Sequence, residues 1–165
     1  MNKAVFLDRD GTINVEKNYL YKIEDFEFIP GAVEAMKIMR DQGYLIVIVT
    51  NQSGIARGYY AEKDVEKLDV WLTGVLREKG IDVAGIYYCP HLPDAVVEKY
   101  RCECDCRKPG TGLFHKAADE LDIDLSKSIV IGDRDRDIAL SSEIKGCRGF
   151  LVSRDFTLLD AAKEI

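Results

Sequence analysis

The sequence has neither a long apolar run nor an excess of positive charge. Its longest purely apolar run, residues 45–49, is far too short to cross a bilayer. Its 29 Asp and Glu outnumber its 23 Lys and Arg, and the net charge of −6 speaks against a nucleic-acid partner, which would call for a basic surface. The chain reaches Asp8 and Arg9 with no secretory signal before them. We therefore expect a cytoplasmic protein with no membrane and no nucleic-acid partner.

Internal repeats, low-complexity stretches and linkers are missing as well, so nothing in the sequence divides the chain. Its 165 residues are enough to bury the core of one domain. A content of 47% hydrophobic and 32% charged residues is an ordinary balance for a globular protein. We expect a single domain over residues 1–165, without a large cap domain, that acts as a monomer.

Short apolar segments alternate with amphipathic segments along the chain. Apolar runs predict strands buried on both faces, and apolar stripes at helical spacing predict helices. The predicted strands are residues 4–7, 45–49, 86–88, 128–131 and 149–152. The predicted helices are residues 32–39, 62–79, 112–121 and 136–145, with a short helix within 155–165. This order predicts an α/β fold with an open, mostly parallel sheet and right-handed crossovers.

Polar residues follow three of the predicted strands. Asp8 and Asp10 come after the first strand, Thr50 after the second and Asp133 after the fourth. Ligands of open α/β sheets bind outside the carboxyl ends of the strands, so these residues should converge. Asp8, Asp10 and Asp133 offer the hard oxygen environment that suits Mg²⁺. An EF-hand is excluded as the alternative, because Ile13 stands where its loop needs glycine.

Phosphoryl transfer requires residue types that this set contains. Asp8 can attack phosphorus if a neighbouring metal screens the charge repulsion. Thr50 can hydrogen-bond a phosphoryl oxygen, and Lys108 can neutralise charge in the transition state. Asp10 is placed to protonate the leaving alkoxide and later to deprotonate the attacking water. We therefore predict Asp8, Asp10, Thr50 and Lys108 as the catalytic residues of a phosphatase.

Four of the five cysteines fall within eighteen residues, and a histidine lies among them. Clustered cysteines in a reducing compartment bind metal more often than they form disulfides. Cys89, His91, Cys104 and Cys106 predict a closed, structural Zn²⁺ site, although Cys102 could replace one of the last two thiolates. The alternative is a set of buried thiols without metal. Zinc would fix the long loop 89–111 and with it Arg107 and Lys108.

These motifs resemble those of the haloacid dehalogenase superfamily. The matching residues are Asp8-Arg9-Asp10-Gly11-Thr12, then Thr50, Lys108 and Gly132-Asp133, in the same order along the chain. The resemblance implies a Rossmann-like core with helices on both faces of the sheet, Mg²⁺ and an aspartyl-phosphate intermediate. It assigns Asp8 as nucleophile, Asp10 as general acid and base, and Asp133 as a metal ligand.

The cysteine-rich loop is similar to that of a subgroup of heptose-bisphosphate and histidinol-phosphate phosphatases. The long spacing from His91 to Cys104 favours a heptose phosphate, and histidinol phosphate stays open as the alternative substrate. A zinc-stabilised binding module without turnover is the alternative from another class. The subgroup implies a sugar-phosphate substrate held by Asp8, Arg9, Asp10, Glu16, Lys17, Asn18, Tyr19, Thr50, Asn51, Gln52, Ser53, Arg107, Lys108 and Arg134.

The chain departs from this subgroup at two places. Arg134 stands where lysine is expected, and its planar, forked guanidinium does not make the same contacts as an ammonium. The chain is also shorter than typical members after the last predicted strand. Two further residues stay ambiguous: Arg57 could bind a second phosphate group or be a solvated cation, and Asp137 could support Lys108 or the Asp133 loop rather than touch the metal.

Overall fold

Five parallel strands form the centre of the protein. The computed structural model describes all 165 residues and has one sheet with the strand order β3-β2-β1-β4-β5, every neighbouring pair being parallel. The strands are β1 (Ala4–Leu7), β2 (Leu45–Asn51), β3 (Val83–Cys89), β4 (Ile129–Gly132) and β5 (Arg148–Leu151). From β1 the chain adds β2 and β3 on one side and then crosses to add β4 and β5 on the other side. This reversal opens a crevice at the carboxyl ends of the central strands.

Helices cover both faces of the sheet, as expected for parallel strands joined by crossovers. They are α1 (Ala32–Asp41), α2 (Glu62–Glu78), α3 (Gly112–Leu121), α4 (Leu140–Glu143) and α5 (Leu158–Ala162). Short 3₁₀ turns lie at Ile23–Asp25, Glu98–Tyr100, Leu125–Lys127 and Asp135–Ile138. None of the helices has the length and apolar character needed to cross a bilayer.

The alternation of side chains along β1 divides the core into two layers. Val5 and Leu7 point to the layer that contains the buried residues of α1, α2 and α5. Phe6 points to the other layer, where its ring meets that of Phe114 of α3 edge to face, with centroids 5.3 Å apart. The predicted α/β fold with a parallel sheet and helices on both faces is therefore confirmed.

The predicted helix over residues 136–145 is wrong in its first half. The chain instead forms a 3₁₀ turn and then the one-turn helix α4. The cause is Asp137, which turns inward beneath the end of β4 and accepts a hydrogen bond from the main-chain N–H of Arg134 at 3.0 Å. A side chain at Gly132 would clash with Asp137, so the glycine permits this inward turn.

Candidate active site

The polar residues that follow β1, β2 and β4 surround one pocket of about 530 Å³. Because these strands are parallel neighbours, their carboxyl ends bring together residues far apart in sequence. The residues that line the pocket are Asp8, Asp10, Glu16, Lys17, Asn18, Tyr19, Thr50, Asn51, Gln52, Ser53, Arg57, Tyr60, Arg107, Asp133, Arg134, Arg136 and Asp137. Most of the sequence-predicted site residues are in this set, whereas Tyr60, Arg136 and Asp137 were not among the predicted ligands.

Lys108 is a buried cation held between Asp8 and Asp137, two carboxylates that line this pocket, although Lys108 itself is not among the lining residues. Its Nζ donates to Asp8 Oδ1 at 3.0 Å and to the carbonyl of Val49 at 2.8 Å, and it lies 2.6 Å from Asp137 Oδ1. Only 2% of the residue is exposed. Burial alone would lower the pKa of Lys108, but the charges of Asp8 and Asp137 raise it, so the side chain stays protonated.

Asp8 has the environment of a carboxylate that can be neutral or charged. Burial raises its pKa to about 7 against the opposing charge of Lys108, and the neighbouring charges of Asp137 and Asp10 add to the increase. A further positive charge at this position would favour the ionised form, which is the form able to act as a nucleophile.

Carboxylate oxygens of Asp8, Asp133 and Asp137 lie within 4.8 Å of one another. Gly11 leaves the space for this cluster, because a side chain there would collide with the Asp133 carboxylate. Burial and the charge of Asp137 raise the pKa of Asp133. Three carboxylates share a single buried cation, Lys108, and such an excess of negative charge with oxygen ligands fits a divalent metal ion.

The Asp10 carboxylate is not part of this cluster, although the sequence analysis named Asp10 as a metal ligand. It accepts hydrogen bonds from Asn14 Nδ2 at 2.9 Å, from Arg9 Nη2 at 3.2 Å and from Gln52 Nε2 at 3.3 Å. Its main-chain oxygen accepts no hydrogen bond within the protein. The carboxylate is thus fixed in orientation by three donors, and the carbonyl is the atom of Asp10 that remains free for a metal.

Arg9 lies outside the pocket lining, contrary to the expectation that it contacts substrate. The residue is 0% exposed, and its Nη2 atom donates to Asp10 and to the carbonyl of Leu20. Side chains continue to alternate in the loop after β1, so Arg9 points into the protein, whereas Asp8 and Asp10 on either side of it face the pocket. The Arg9 guanidinium therefore contacts Asp10 from the buried side, away from the pocket.

A reciprocal pair of hydrogen bonds joins the end of β2 to the cysteine-rich loop. The N–H of Lys108 donates to Asn51 Oδ1 at 2.9 Å, and Asn51 Nδ2 donates to the carbonyl of Lys108 at 3.2 Å. Asn51 was expected to contact substrate, and its side chain is instead engaged with the Lys108 main chain. The pair fixes where Lys108 leaves the loop and enters the pocket.

The predicted zinc ligands come together at the start of this loop. Donor atoms of Cys89, His91, Cys104 and Cys106 all lie within 4.8 Å of one another, with five contacts of 2.8 to 3.6 Å. Tetrahedral Zn²⁺ with Zn–S bonds of about 2.3 Å places its sulfur ligands about 3.8 Å apart. The sulfur of Cys104 lies 3.6 Å from that of Cys89 and 3.4 Å from that of Cys106, close to this value, whereas Cys89 and Cys106, at 2.8 Å, would move apart around the ion. Cys102 is exposed and outside the cluster.

Three arginines, Arg57, Arg107 and Arg136, bring positive charge to the pocket lining. Burial lowers the pKa of Arg107, and the charges of Arg136 and Arg57 lower it further, so each of these two guanidinium groups is close enough to repel that of Arg107. Arg107 Nη1 is buried without a hydrogen-bond partner. An unpaired buried donor among like charges is the arrangement of an anion site.

Residues 16–19 form a loop that also lines the pocket. Asn18 and Tyr19 both have positive φ angles, 54° and 68°, a conformation that is uncommon for residues other than glycine. It presents the Tyr19 ring 4.9 Å from that of Tyr59 and 5.7 Å from the Arg57 guanidinium carbon. Strained backbone of this kind is often found at binding sites. Arg134 also lines the pocket but is mostly exposed, with Nε 3.9 Å from Asp133.

Comparison with known proteins also indicates a phosphatase. Residues 3–157 match the family model of polynucleotide kinase 3 phosphatase. Two heptose phosphatases of Photorhabdus laumondii are similar over most of the chain. The D-glycero-beta-D-manno-heptose-1,7-bisphosphate 7-phosphatase is 49% identical over 142 residues, covering 86% of this chain and 76% of the relative. The alpha counterpart is 47% identical over 150 residues, covering 91% and 82%.

A solved structure shares both the fold and part of the sequence. The D,D-heptose 1,7-bisphosphate phosphatase of B. bronchiseptica, crystallised with magnesium and phosphate, superimposes with a TM-score of 0.82 at 26% identity, over 98% of this chain and 97% of that one. A protein from Mesorhizobium loti described as HAD-like gives 0.83 at 30% identity, over 99% and 87%. This chain therefore belongs to the polynucleotide kinase 3 phosphatase family, and it is a phosphatase of the haloacid dehalogenase superfamily.

Proposed function

We propose that this enzyme hydrolyses the C7 phosphate of D-glycero-D-manno-heptose 1,7-bisphosphate and releases heptose 1-phosphate, in the synthesis of nucleotide-activated heptose for surface polysaccharide. The observation that carries the proposal is the charge distribution of the pocket. Asp8 lies beside Lys108, and three further cations, Arg57, Arg107 and Arg136, line the same pocket without an ion pair to a carboxylate. A substrate with two phosphate groups complements both sets of charges, and the names of the similar enzymes support the same substrate.

Mg²⁺ is the metal that the carboxylates fit, and the magnesium complex of the similar enzyme supports this choice. Asp8, Asp133 and the free carbonyl of Asp10 would hold it. When bound, it would neutralise charge on the transferring phosphoryl group and on the Asp8 carboxylate. Asp137 remains with Lys108, because its oxygens are taken by the ammonium and by the N–H of Arg134.

In the first half-reaction, Asp8 attacks phosphorus. A carboxylate oxygen of Asp8 forms the new bond to phosphorus, and the bond from phosphorus to the C7 oxygen breaks. Asp10 gives its proton to this leaving oxygen, so that an alcohol departs rather than an alkoxide. Lys108 and Thr50 stabilise the charge on the phosphoryl oxygens.

In the second half-reaction, water attacks the aspartyl phosphate. Asp10, now ionised, accepts a proton from the water as its oxygen bonds to phosphorus. The acyl-phosphate bond breaks, Asp8 regains its carboxylate and inorganic phosphate leaves. Atoms and charges balance over the cycle, since Asp10 recovers the proton that it gave to the sugar oxygen.

The C1 phosphate is assigned to Arg57, Arg107 and Arg136. Arg107 has an unpaired guanidinium donor, and the two other guanidinium groups provide further donors. Histidinol phosphate, the competing substrate, has no second phosphate and carries a cationic amine. Three arginines would attract a second phosphate and repel a cation, so the arrangement favours the bisphosphate.

We infer that Cys89, His91, Cys104 and Cys106 bind a structural Zn²⁺. All four positions of a tetrahedron are filled by protein atoms, so none is left for water, and this metal has no part in the chemical steps. Its effect is to hold the loop from which Arg107 and Lys108 enter the pocket. The proposal also places the enzyme in the cytoplasm as a monomer, which size-exclusion chromatography with light scattering would test.

The function is tested by phosphate release with Mg²⁺ present, using both anomers of heptose 1,7-bisphosphate and histidinol phosphate side by side. We expect one phosphate per heptose and a preference for the heptose over histidinol phosphate. Preference for histidinol phosphate would overturn the substrate. The variant Arg57→Ala tests the second phosphate site. It should raise KM for the bisphosphate more than KM for heptose 7-phosphate, because only the bisphosphate carries the C1 phosphate that Arg57 binds.

A further inference from the structure

Tyr60 lies in the wall of the active site with no role assigned to it above. Its ring is stacked on that of Tyr21, with centroids 5.2 Å apart and an angle of 17° between the planes. Ile55 and Val65 complete its apolar surroundings. Gly54 approaches the ring so closely that any side chain at that position would collide with it. The tyrosine is therefore held in one orientation, and its hydroxyl has one position.

That hydroxyl donates a hydrogen bond of 2.6 Å to Oε1 of Gln52. Burial raises the pKa of Tyr60, so the hydroxyl keeps its proton. Because the carbonyl oxygen of the Gln52 amide is held by Tyr60, its Nε2 group must face the opposite way. Nε2 donates to Thr50 Oγ1 at 3.0 Å and to Asp10 Oδ2 at 3.3 Å.

The orientation of the Gln52 amide has consequences for both partners. If the amide were rotated by half a turn, its oxygen would face the Asp10 carboxylate, and two acceptors would repel each other. Thr50 would then direct its proton to Gln52. In the observed orientation, Thr50 accepts from Gln52, so its own proton is not used on Gln52. Within the protein, that proton has only a long contact of 3.4 Å with the carbonyl of Asn51, which a phosphoryl oxygen of the substrate can replace.

Gln52 is also the one donor to Asp10 that comes from a different strand. Arg9 and Asn14 belong to the same loop as Asp10, whereas Gln52 follows β2. The residue is 2% exposed, and both polar atoms of its amide are engaged within the protein. Its side chain therefore acts through Asp10 and Thr50 rather than through a contact of its own with the substrate.

We propose that Tyr60 is a positioning residue, which holds the Gln52 amide so that Asp10 points to the leaving oxygen and Thr50 keeps its proton for the phosphoryl group. The inference rests on the proposed phosphatase mechanism, in which Asp10 is the general acid. It adds to that mechanism a residue that touches neither substrate nor metal.

The kinetic test compares Tyr60→Phe with Tyr21→Phe. Both changes remove a hydroxyl from the same stacked pair, but the Tyr21 hydroxyl makes no hydrogen bond within the protein. We expect Tyr60→Phe to lower kcat by about 3- to 10-fold, the equivalent of one hydrogen bond, with little change in KM. The loss should be larger for heptose bisphosphate than for p-nitrophenyl phosphate, whose leaving group needs little protonation.

Equal losses on the two substrates, or a Tyr60→Phe enzyme no slower than Tyr21→Phe, would overturn the inference. Melting temperatures of the two variants show whether a loss of fold contributes to the result.

A second measurement does not depend on turnover. The side-chain amide protons of Gln52, followed by NMR, should exchange with solvent faster in Tyr60→Phe than in the unmutated enzyme and in Tyr21→Phe. Unchanged exchange would mean that Tyr60 does not hold the amide. If the unmutated enzyme fails to hydrolyse heptose bisphosphate, the proposed substrate is wrong, and this NMR comparison still decides the role of Tyr60.

Discussion

Asn51 and Lys108 exchange two hydrogen bonds, at 2.9 and 3.2 Å, between an amide side chain at the end of β2 and the main chain of the buried lysine that contacts Asp8. The two residues are separated by 57 positions in the chain. Two features can therefore hold the main chain of Lys108, the cysteine and histidine cluster earlier in its loop and the side chain of Asn51. From the main chain held in this place, the ammonium group reaches Asp8.

Replacing Asn51 by Ala should slow the enzyme without unfolding it. The change removes both hydrogen bonds, and we expect a loss of roughly 10- to 100-fold in kcat, since each bond contributes about 0.5–1.5 kcal/mol. Steady-state kinetics and melting temperature measure the two effects. Asn2→Ala is the matched control, because Asn2 also donates from its side chain to a main-chain carbonyl, that of Leu121, but far from the pocket. Equal activity of the two variants would contradict the anchoring role.

Replacing Lys108 by Ala should reduce kcat by at least about 10²-fold, the typical cost of removing one preorganised donor from a transition state. The cause is that Asp8, Asp133 and Asp137 would then share no buried cation. Single-turnover phosphate release measures the chemical step directly. Lys116→Ala is the control on an exposed lysine, and it should retain full activity. A Lys108→Ala enzyme that keeps most of its rate would exclude the lysine from catalysis.

The zinc proposal is tested by metal analysis of two cysteine variants. The unmutated protein, purified without chelator, should contain about one zinc per chain. Cys106→Ser should lose the metal, lower the melting temperature and raise KM, because Arg107 and Lys108 follow directly in the sequence. Cys102→Ser should keep both the zinc and the activity, since this cysteine lies outside the cluster. Zinc loss in Cys102→Ser, or no zinc in the unmutated protein, would refute the assignment.

The raised pKa of Asp69 in α2 should make the free energy of unfolding depend on pH. Burial raises its pKa from 3.8 to about 6, against the opposing charge of Arg9 and with a further increase from Glu66. Because the folded state favours the protonated carboxyl, the stability that it contributes is present below pH 4 and is lost as the pH rises through 6. This shift corresponds to about 3 kcal/mol at most.

The measurement for Asp69 is denaturant unfolding of Asp69→Asn and the unmutated protein between pH 4 and pH 8. The variant should gain stability relative to the unmutated protein as the pH rises. Glu78→Gln serves as the control, because this exposed carboxylate lies on the same helix and has no part in raising the pKa of Asp69, so the same gain is not expected there. A difference that is constant with pH would contradict the raised pKa of Asp69.

The elements of the fold were predictable where one physical signal dominated. The apolar strand β1 and the helices α1 to α3, with their apolar stripes, are where the sequence predicted them. The region after β4 was not, because Asp137 is drawn beneath the strand by Lys108, a residue remote in sequence. Local helical periodicity contains no information about such a contact.

The residues of the candidate site also fall into two groups, those that a local sequence pattern predicts and those whose position depends on tertiary packing. The spacing of Asp8 and Asp10 after a strand predicts that they line one pocket, and the structure places both there. The direction of a side chain within a loop is set by tertiary packing, so the sequence placed Arg9 at the substrate, whereas it is buried behind Asp10. Tyr60 and Arg136 had no motif to indicate them. The contact between Gly54 and the Tyr60 ring, which fixes the tyrosine, is visible only in the folded structure.

The central claim is that Asp8 forms a covalent bond to the phosphoryl group. The most direct measurement is to mix the enzyme with substrate and Mg²⁺, quench within milliseconds, reduce with borohydride and analyse the peptide that contains Asp8 by mass spectrometry. An aspartyl phosphate is reduced to homoserine, so we predict homoserine at position 8. The amount should be larger in Asp10→Asn with p-nitrophenyl phosphate, because its leaving group needs little protonation and only the second half-reaction is then slowed. Turnover without any modification of Asp8, or an Asp8→Asn enzyme that remains active without deamidation, would contradict the account.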